Sequence, residues 1–180
     1  MWLSMVLAHA MENRHSDLSR AYARIVTPAA KFWGCKRAVE TVAECMEVWG
    51  GNGYVEDGPM PRLLREAPVN SIWEGSGNVM CLDVLRALRN EPELTEILLG
   101  NLSAEAGMHA LLSQAINTLK MRLRHDAHEL EYGARQVVQE LILLAQATLM
   151  RHYAPSYVAD AFIQSRLSPG GRIVGAHVYA

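Results

Sequence analysis

Cysteine is scarce in this 180-residue chain: Cys35, Cys45 and Cys81 are odd in number and form no C-x-x-C pair. On one helix, Cys35 and Cys45 would lie about 15 Å apart, beyond the reach of a disulfide. A reduced, cytoplasmic protein is the simplest reading. No run of about 20 apolar residues offers a membrane span. The opening Trp2-Leu3-Ser4-Met5-Val6-Leu7-Ala8 has no basic segment before it, so it does not read as a signal peptide. Strand-like alternation is nearly absent, and no fixed-period repeat is visible. Seventeen Lys and Arg against nineteen Asp and Glu leave a net charge of −2, so the whole chain is not built around a polyanion.

What remains is a chain that is 50% hydrophobic and 20% charged, composed like a globular domain. Its length allows roughly 70% of the unfolded surface to be buried. Helical periods dominate, and the class expected is all-α. One helix is predicted from Trp2 to about Ile25, with an interruption near His15–Asp17. Thr27-Pro28 reads as an N-cap followed by proline at the first helical position. The following helix carries Phe32, Cys35, Val39, Val42, Met46 and Trp49, a 3/4/3/4/3 spacing that makes one apolar stripe. Gly50-Gly51 stop it. A Gly- and Pro-punctuated stretch follows to Gly77, with a short helix around Arg62–Glu66. Asn78 then caps a helix to about Arg89 that offers Val79, Leu82, Leu85 and Leu88 to the core. Further helices are predicted from Pro92 to Leu99 (ended by Gly100), from Ser103 to about Arg124, from Ala127 to Tyr153, and on to about Ser165.

Four places could carry chemistry. Gly50-Gly51-Asn52-Gly53 would let a pyrophosphate approach the backbone without Cβ clashes. It follows a helix rather than a strand, so it is no dinucleotide-fold fingerprint, and a plain helix stop explains it as well. In Trp73-Glu74-Gly75-Ser76-Gly77-Asn78, a carboxylate beside a large aromatic can be desolvated toward general-base chemistry. Ser76 and Asn78 can meet a polar ligand at a helix start, while an acidic residue near a helix N-terminus is also common for its dipole alone. His125 and His128 lie i, i+3 but lack a third metal ligand, so a solvated helix junction is favoured and no metal is expected. Arg122, Arg124, Arg135, Arg151, Arg166 and Arg172 would attract phosphates only if they cluster. The sequence after Thr118 carries 7 basic and 5 acidic residues, a small positive bias.

The first two places, taken together, resemble the C-terminal helical domain of the acyl-CoA dehydrogenase family. The family pattern is a Gly-Gly-x-Gly-aromatic loop, then Arg and an acidic residue, then aromatic-Glu-Gly-Thr/Ser. It reads here as Gly50-Gly51-Asn52-Gly53-Tyr54, Arg65-Glu66 and Trp73-Glu74-Gly75-Ser76. Within that family, Thr27-Pro28-Ala29-Ala30-Lys31-Phe32 and Asn70 to Asn78 are similar to the alkylation-response (AidB) branch. The resemblance implies a helical bundle over residues 1–100 and a branch-specific helical extension over 101–180. It also implies that the chain is the terminal portion of a longer flavoprotein.

The implied cofactor is FAD, with Gly50, Gly51 and Gly53 near the pyrophosphate of a neighbouring subunit's cofactor. Trp73, Ser76 and Asn78 would contact the cofactor as well, and Glu74 would be the catalytic base toward an acyl-CoA. A homo-oligomer, dimer or tetramer, follows from the same resemblance. The branch also implies an alternative, a double-stranded-DNA-binding module in which Arg122, Arg124 and Arg135 meet the nucleic acid. For the isolated chain, weak or absent FAD binding and no turnover are expected.

Overall fold

The computed structural model describes residues 2–13 and 15–168, so the Gly-containing tail and Arg172 lie outside the described residues. The described residues form helices and turns, without a strand among them. In chain order the α-helices are α1 (Trp2–Glu12), α2 (Asp17–Ala21), α3 (Thr27–Val48), α4 (Gly51–Tyr54), α5 (Met60–Glu66), α6 (Gly77–Asn90), α7 (Pro92–Ala106), α8 (Ala110–Arg122), α9 (Ala127–Tyr132), α10 (Ala134–Tyr153) and α11 (Ser156–Leu167). A π-helical turn, Tyr22–Val26, joins α2 to α3, and a 3-10 turn, Ala67–Ser71, follows α5. No helix among the described residues is long and apolar enough to cross a membrane.

The centre is α10. Val137, Val138, Leu141, Ile142, Leu144, Ala145 and Ala147 are all buried on it. A helix apolar on so much of its circumference must be surrounded, and α1, α3, α6, α7, α8 and α11 pack around it. One buried cluster runs from Ile25 through Val84, Leu98, Leu102, Leu112 and Ile116 to Ile142 and Ile163. Ladder ends explain many boundaries. Gly50 (φ +58°) terminates α3, and Gly107 (φ +54°) terminates α7. Asp126 caps α9 by accepting from the Glu129 amide at 2.9 Å.

Several boundaries differ from the sequence expectation. The chain stays helical through Tyr22–Val26 into α3, so Thr27 caps nothing, and its buried Oγ1 has no hydrogen-bond partner. Gly100 and Ser103 sit inside α7 rather than between helices. Leu98, Leu102 and Ala106 bury one side of that helix, and such packing outweighs the cost of a single exposed-side glycine. The break comes instead at residues 107–109. Residues 127–153 divide at Gly133 into α9 and α10. The capping residue of α6 is Ser76, and the buried side is Cys81, Val84, Ala87 and Leu88, leaving Val79 and Leu82 exposed.

The π-helical turn widens the helix where Tyr22 enters the interior, 5% exposed. Its hydroxyl donates to Asn101 Oδ1 at 3.2 Å. Burial, aided by the negative charge of Glu105, pushes the phenol from 10.0 up to about 12. Because the folded value exceeds the ordinary one, the stability this group contributes is intact below pH 10 and is lost as pH rises through about 12. Urea unfolding across that window should therefore show a steep fall for the unsubstituted chain and a shallower one for Tyr22→Phe. Parallel curves would contradict the assignment. Two residues on, Arg24 joins Asp83 and Glu91, each at 3.0 Å, and so ties this turn to both α6 and the α6–α7 junction.

Candidate functional site

Both motif loops are built on α3, at opposite ends. At its C-terminal end, the α3 ladder closes with the Gly50 amide donating to the Glu47 carbonyl at 2.9 Å. The chain then turns into α4. Gly50 and Gly51 are exposed, and a Cβ on either would meet nothing within 4 Å. Their backbone is open to a ligand. Gly53 differs, because a Cβ there would stand 2.3 Å from the Met46 carbonyl oxygen and 2.9 Å from Trp49 Cβ. Close packing of α4 on α3 requires glycine at that position. Tyr54 is 77% exposed beside it.

Arg65 of the motif does not pair with the adjacent Glu66. Its guanidinium takes both carboxylate oxygens of Glu56, at 2.7 and 2.9 Å, and holds that carboxyl below its usual range. Glu66 accepts from Arg62 instead, at 2.9 Å. The motif thus fastens α5 to the loop after Tyr54.

The Trp73–Ser76 loop lies near the N-terminal end of α3. Lys31 Nζ donates to the Trp73 carbonyl at 2.7 Å and also to the Gly75 carbonyl. Lys36 Nζ reaches Ser71 Oγ at 3.5 Å. Gly77 sits against Phe32 and Lys36, with a Cβ position only 3.1 Å from Lys36 Cε. Between these anchors Glu74 takes φ +53°, the only non-glycine with positive φ among the described residues. Its carboxylate is exposed, and Trp73 is 59% exposed. Within this chain, then, the aromatic does not desolvate the carboxylate.

Ser76 and Asn78 are exposed at the start of α6. Asn78 accepts from Arg135 Nε at 2.7 Å. Gly77 packs at Phe32 and Lys36 and Gly53 at Met46, so the loops attach to α3 roughly 15–21 Å apart along the helix.

The three arginines considered for nucleic acid are placed differently from one another. Arg122 forms an ion pair with Glu140 at 3.1 Å, Arg135 is held by Asn78, and Arg124 is exposed. Arg151 caps α7 by donating to the Glu105 and Ala106 carbonyls. Among the described residues, no group of three or more His, Cys, Asp or Glu is arranged to hold a metal ion, and His125 lies 3.4 Å from Glu129. Burial pushes the Cys81 thiol up to about 11, which keeps it unreactive.

Lys31 lies within the Thr27–Phe32 segment, and nothing in the sequence marks its role. Its contacts with residues 42 and 44 positions away leave no local signal. The apolar stripe of α3 is covered only in part. Phe32 is buried, Cys35, Val39, Val42 and Met46 are half-buried, and Trp49 is 62% exposed.

Residues 2–89 match the family model described as acyl-CoA dehydrogenase, C-terminal domain. The chain is 42% identical to the AidB protein of Escherichia coli (strain K12) over 167 residues, which cover 93% of this chain and 30% of that protein. It is 41% identical over 99 residues to acyl-CoA dehydrogenase family member 11 of Caenorhabditis elegans, covering 51% of this chain and 16% of that one. Among solved structures, the apo form of Bd2924 superposes with a TM-score of 0.75 at 30% identity, over 86% of this chain and 30% of that chain. Caenorhabditis elegans ACDH-11 in complex with C11-CoA gives 0.72 at 28% identity, over 91% and 31%. The chain therefore spans less than a third of each of these relatives.

Proposed function

From the match of residues 2–89 to the model described as acyl-CoA dehydrogenase, C-terminal domain, we propose that this chain is the C-terminal portion of a flavin-dependent acyl-CoA dehydrogenase-like protein. The observation that carries the reading is the Glu74 loop. An exposed carboxylate stands on a strained, doubly anchored turn within the matched region. Strain of this kind persists where surrounding structure over-determines it, and it concentrates at functional sites.

In this reading Glu74 takes the α-proton of an acyl thioester while the C–H bond at the β-carbon breaks and the hydrogen leaves as hydride, forming the α,β double bond. FAD, when bound, supplies the hydride acceptor. Gly50 and Gly51 leave backbone free for close approach of its pyrophosphate, with Gly53 setting the turn. Trp73, Ser76 and Asn78 line the exposed start of α6, where amide dipoles favour an anionic group. Following the family resemblance, we assign the two loops to cofactors of different subunits in a homo-oligomer. The arginine placements give the double-stranded-DNA alternative no added support, since two of the three are engaged within the chain. The domain assignment belongs to the proposal as well: a family-like bundle over 1–100 and an extension over 101–180, with the boundary falling inside α7.

The isolated chain should self-associate and bind FAD weakly. Val48, Trp49, Tyr54, Ile72 and Trp73 are apolar and largely exposed along α3 and its two loops, and patches of that kind seek partners. The chain covers 30% of the AidB protein, so most contacts to such a cofactor lie elsewhere. Light scattering combined with a flavin titration checks both halves. A monomer that binds FAD tightly would overturn the reading.

A further inference from the structure

We propose that Lys31 is a positioning residue for the Glu74 carboxylate, acting through the backbone rather than through charge. Its Nζ acts on the backbone: it donates to the Trp73 and Gly75 carbonyls. The Trp73–Glu74 and Gly75–Ser76 peptides, which bracket Glu74 and Gly75, are thereby turned toward α3, and both residues between them are held at positive φ, +53° and +103°. A non-glycine residue leaves that conformation unless its neighbours hold it. Gly75, φ +103°, completes the turn. Glycine is needed there because of that φ, since a Cβ would meet only the movable tip of Met80.

The far side of the loop is seated by Gly77 against Phe32, one residue along α3 from the lysine. A single turn of α3 thus fixes the direction in which the carboxylate leaves the surface. The ammonium suits this task because it offers three donors on a long stem. It satisfies two carbonyls at once and reaches them from a part-buried position.

The proposal rests on the reading of Glu74 as the base, and its test separates the two. In the flavin-loaded protein, Lys31→Met keeps the stem and removes the donors. Flavin reduction at saturating acyl-CoA should slow by roughly 10- to 100-fold, while the acyl-CoA Kd shifts by less than about threefold, because a displaced reacting group costs rate rather than binding. In the 180-residue chain, the same substitution should move the amide resonances of residues 73–76 and leave those of α10 in place. An unchanged saturated rate, unmoved 73–76 resonances, or resonance changes spread through α10 would each overturn the proposal. Glu74→Gln is the separating control. If it reduces flavin normally, the base reading fails by itself, and the resonances alone then decide whether Lys31 sets the loop.

Discussion

Glu74→Gln should slow acyl-CoA-dependent flavin reduction by about 100-fold or more, in line with the loss of a general base, while FAD stays bound. Glutamine keeps the shape of the side chain but cannot take a proton. Since the carboxylate is exposed on its loop, the substitution should leave the fold intact. Stopped-flow absorbance of the flavin-loaded protein reads the rate, and the bound-flavin spectrum reads occupancy. A rate within twofold of the unsubstituted protein would remove Glu74 from the chemistry.

The second large effect is structural and belongs to the other motif loop. Gly53→Ala places a methyl group 2.3 Å from the Met46 carbonyl oxygen and 2.9 Å from Trp49 Cβ. Backbone cannot yield there as a flexible side-chain tip would, so overpacking should cost about 2–3 kcal/mol. Gly51→Ala, two residues earlier, meets nothing within 4 Å and should shift stability by less than about 0.5 kcal/mol. Gly50→Ala falls between them, because its obstacle is φ +58° rather than a neighbour. Urea midpoints of the three variants test the order. Equal midpoints for Gly53→Ala and Gly51→Ala would show that α4 is not packed on α3 as described.

Much of this architecture was legible from residue spacing. The all-α class follows from helical periods with no alternation, and Gly50 ends α3 where a left-handed residue is required. The two motif loops stand out by residue type, but residue type alone leaves a helix stop and a dipole-complementing carboxylate open, and the family resemblance supplies their reading. Other features were hidden for physical reasons. Gly100 looked like a terminator, yet Leu98 and Leu102 hold α7 in place around it. Asn78 looked like a cap, but Ser76 takes that position, and the rotated register buries Cys81 and Val84 instead of Val79 and Leu82. The 4/3/4 run of Gly77, Cys81, Val84 and Leu88 was available in the sequence as the competing face.

The apolar stripe on α3 is buried at Phe32, half-buried from Cys35 to Met46 and exposed at Trp49. The Lys31 contacts and the left-handed Glu74 could not be read at all. Both depend on two segments more than forty residues apart meeting in space. Desolvation of Glu74 by Trp73 was a local expectation, and inside this chain both side chains remain exposed.

In the proposed function these 180 residues contribute the base-bearing loop of an acyl-CoA-oxidising flavoprotein. The most direct test is anaerobic mixing of the flavin-loaded protein with saturated acyl-CoA thioesters of graded chain length, following flavin absorbance and the thioester product together. Bleaching is expected with at least one chain length, accompanied by one α,β-unsaturated thioester for each flavin reduced. A flavin that stays oxidised with every thioester, while the protein binds them, would contradict it.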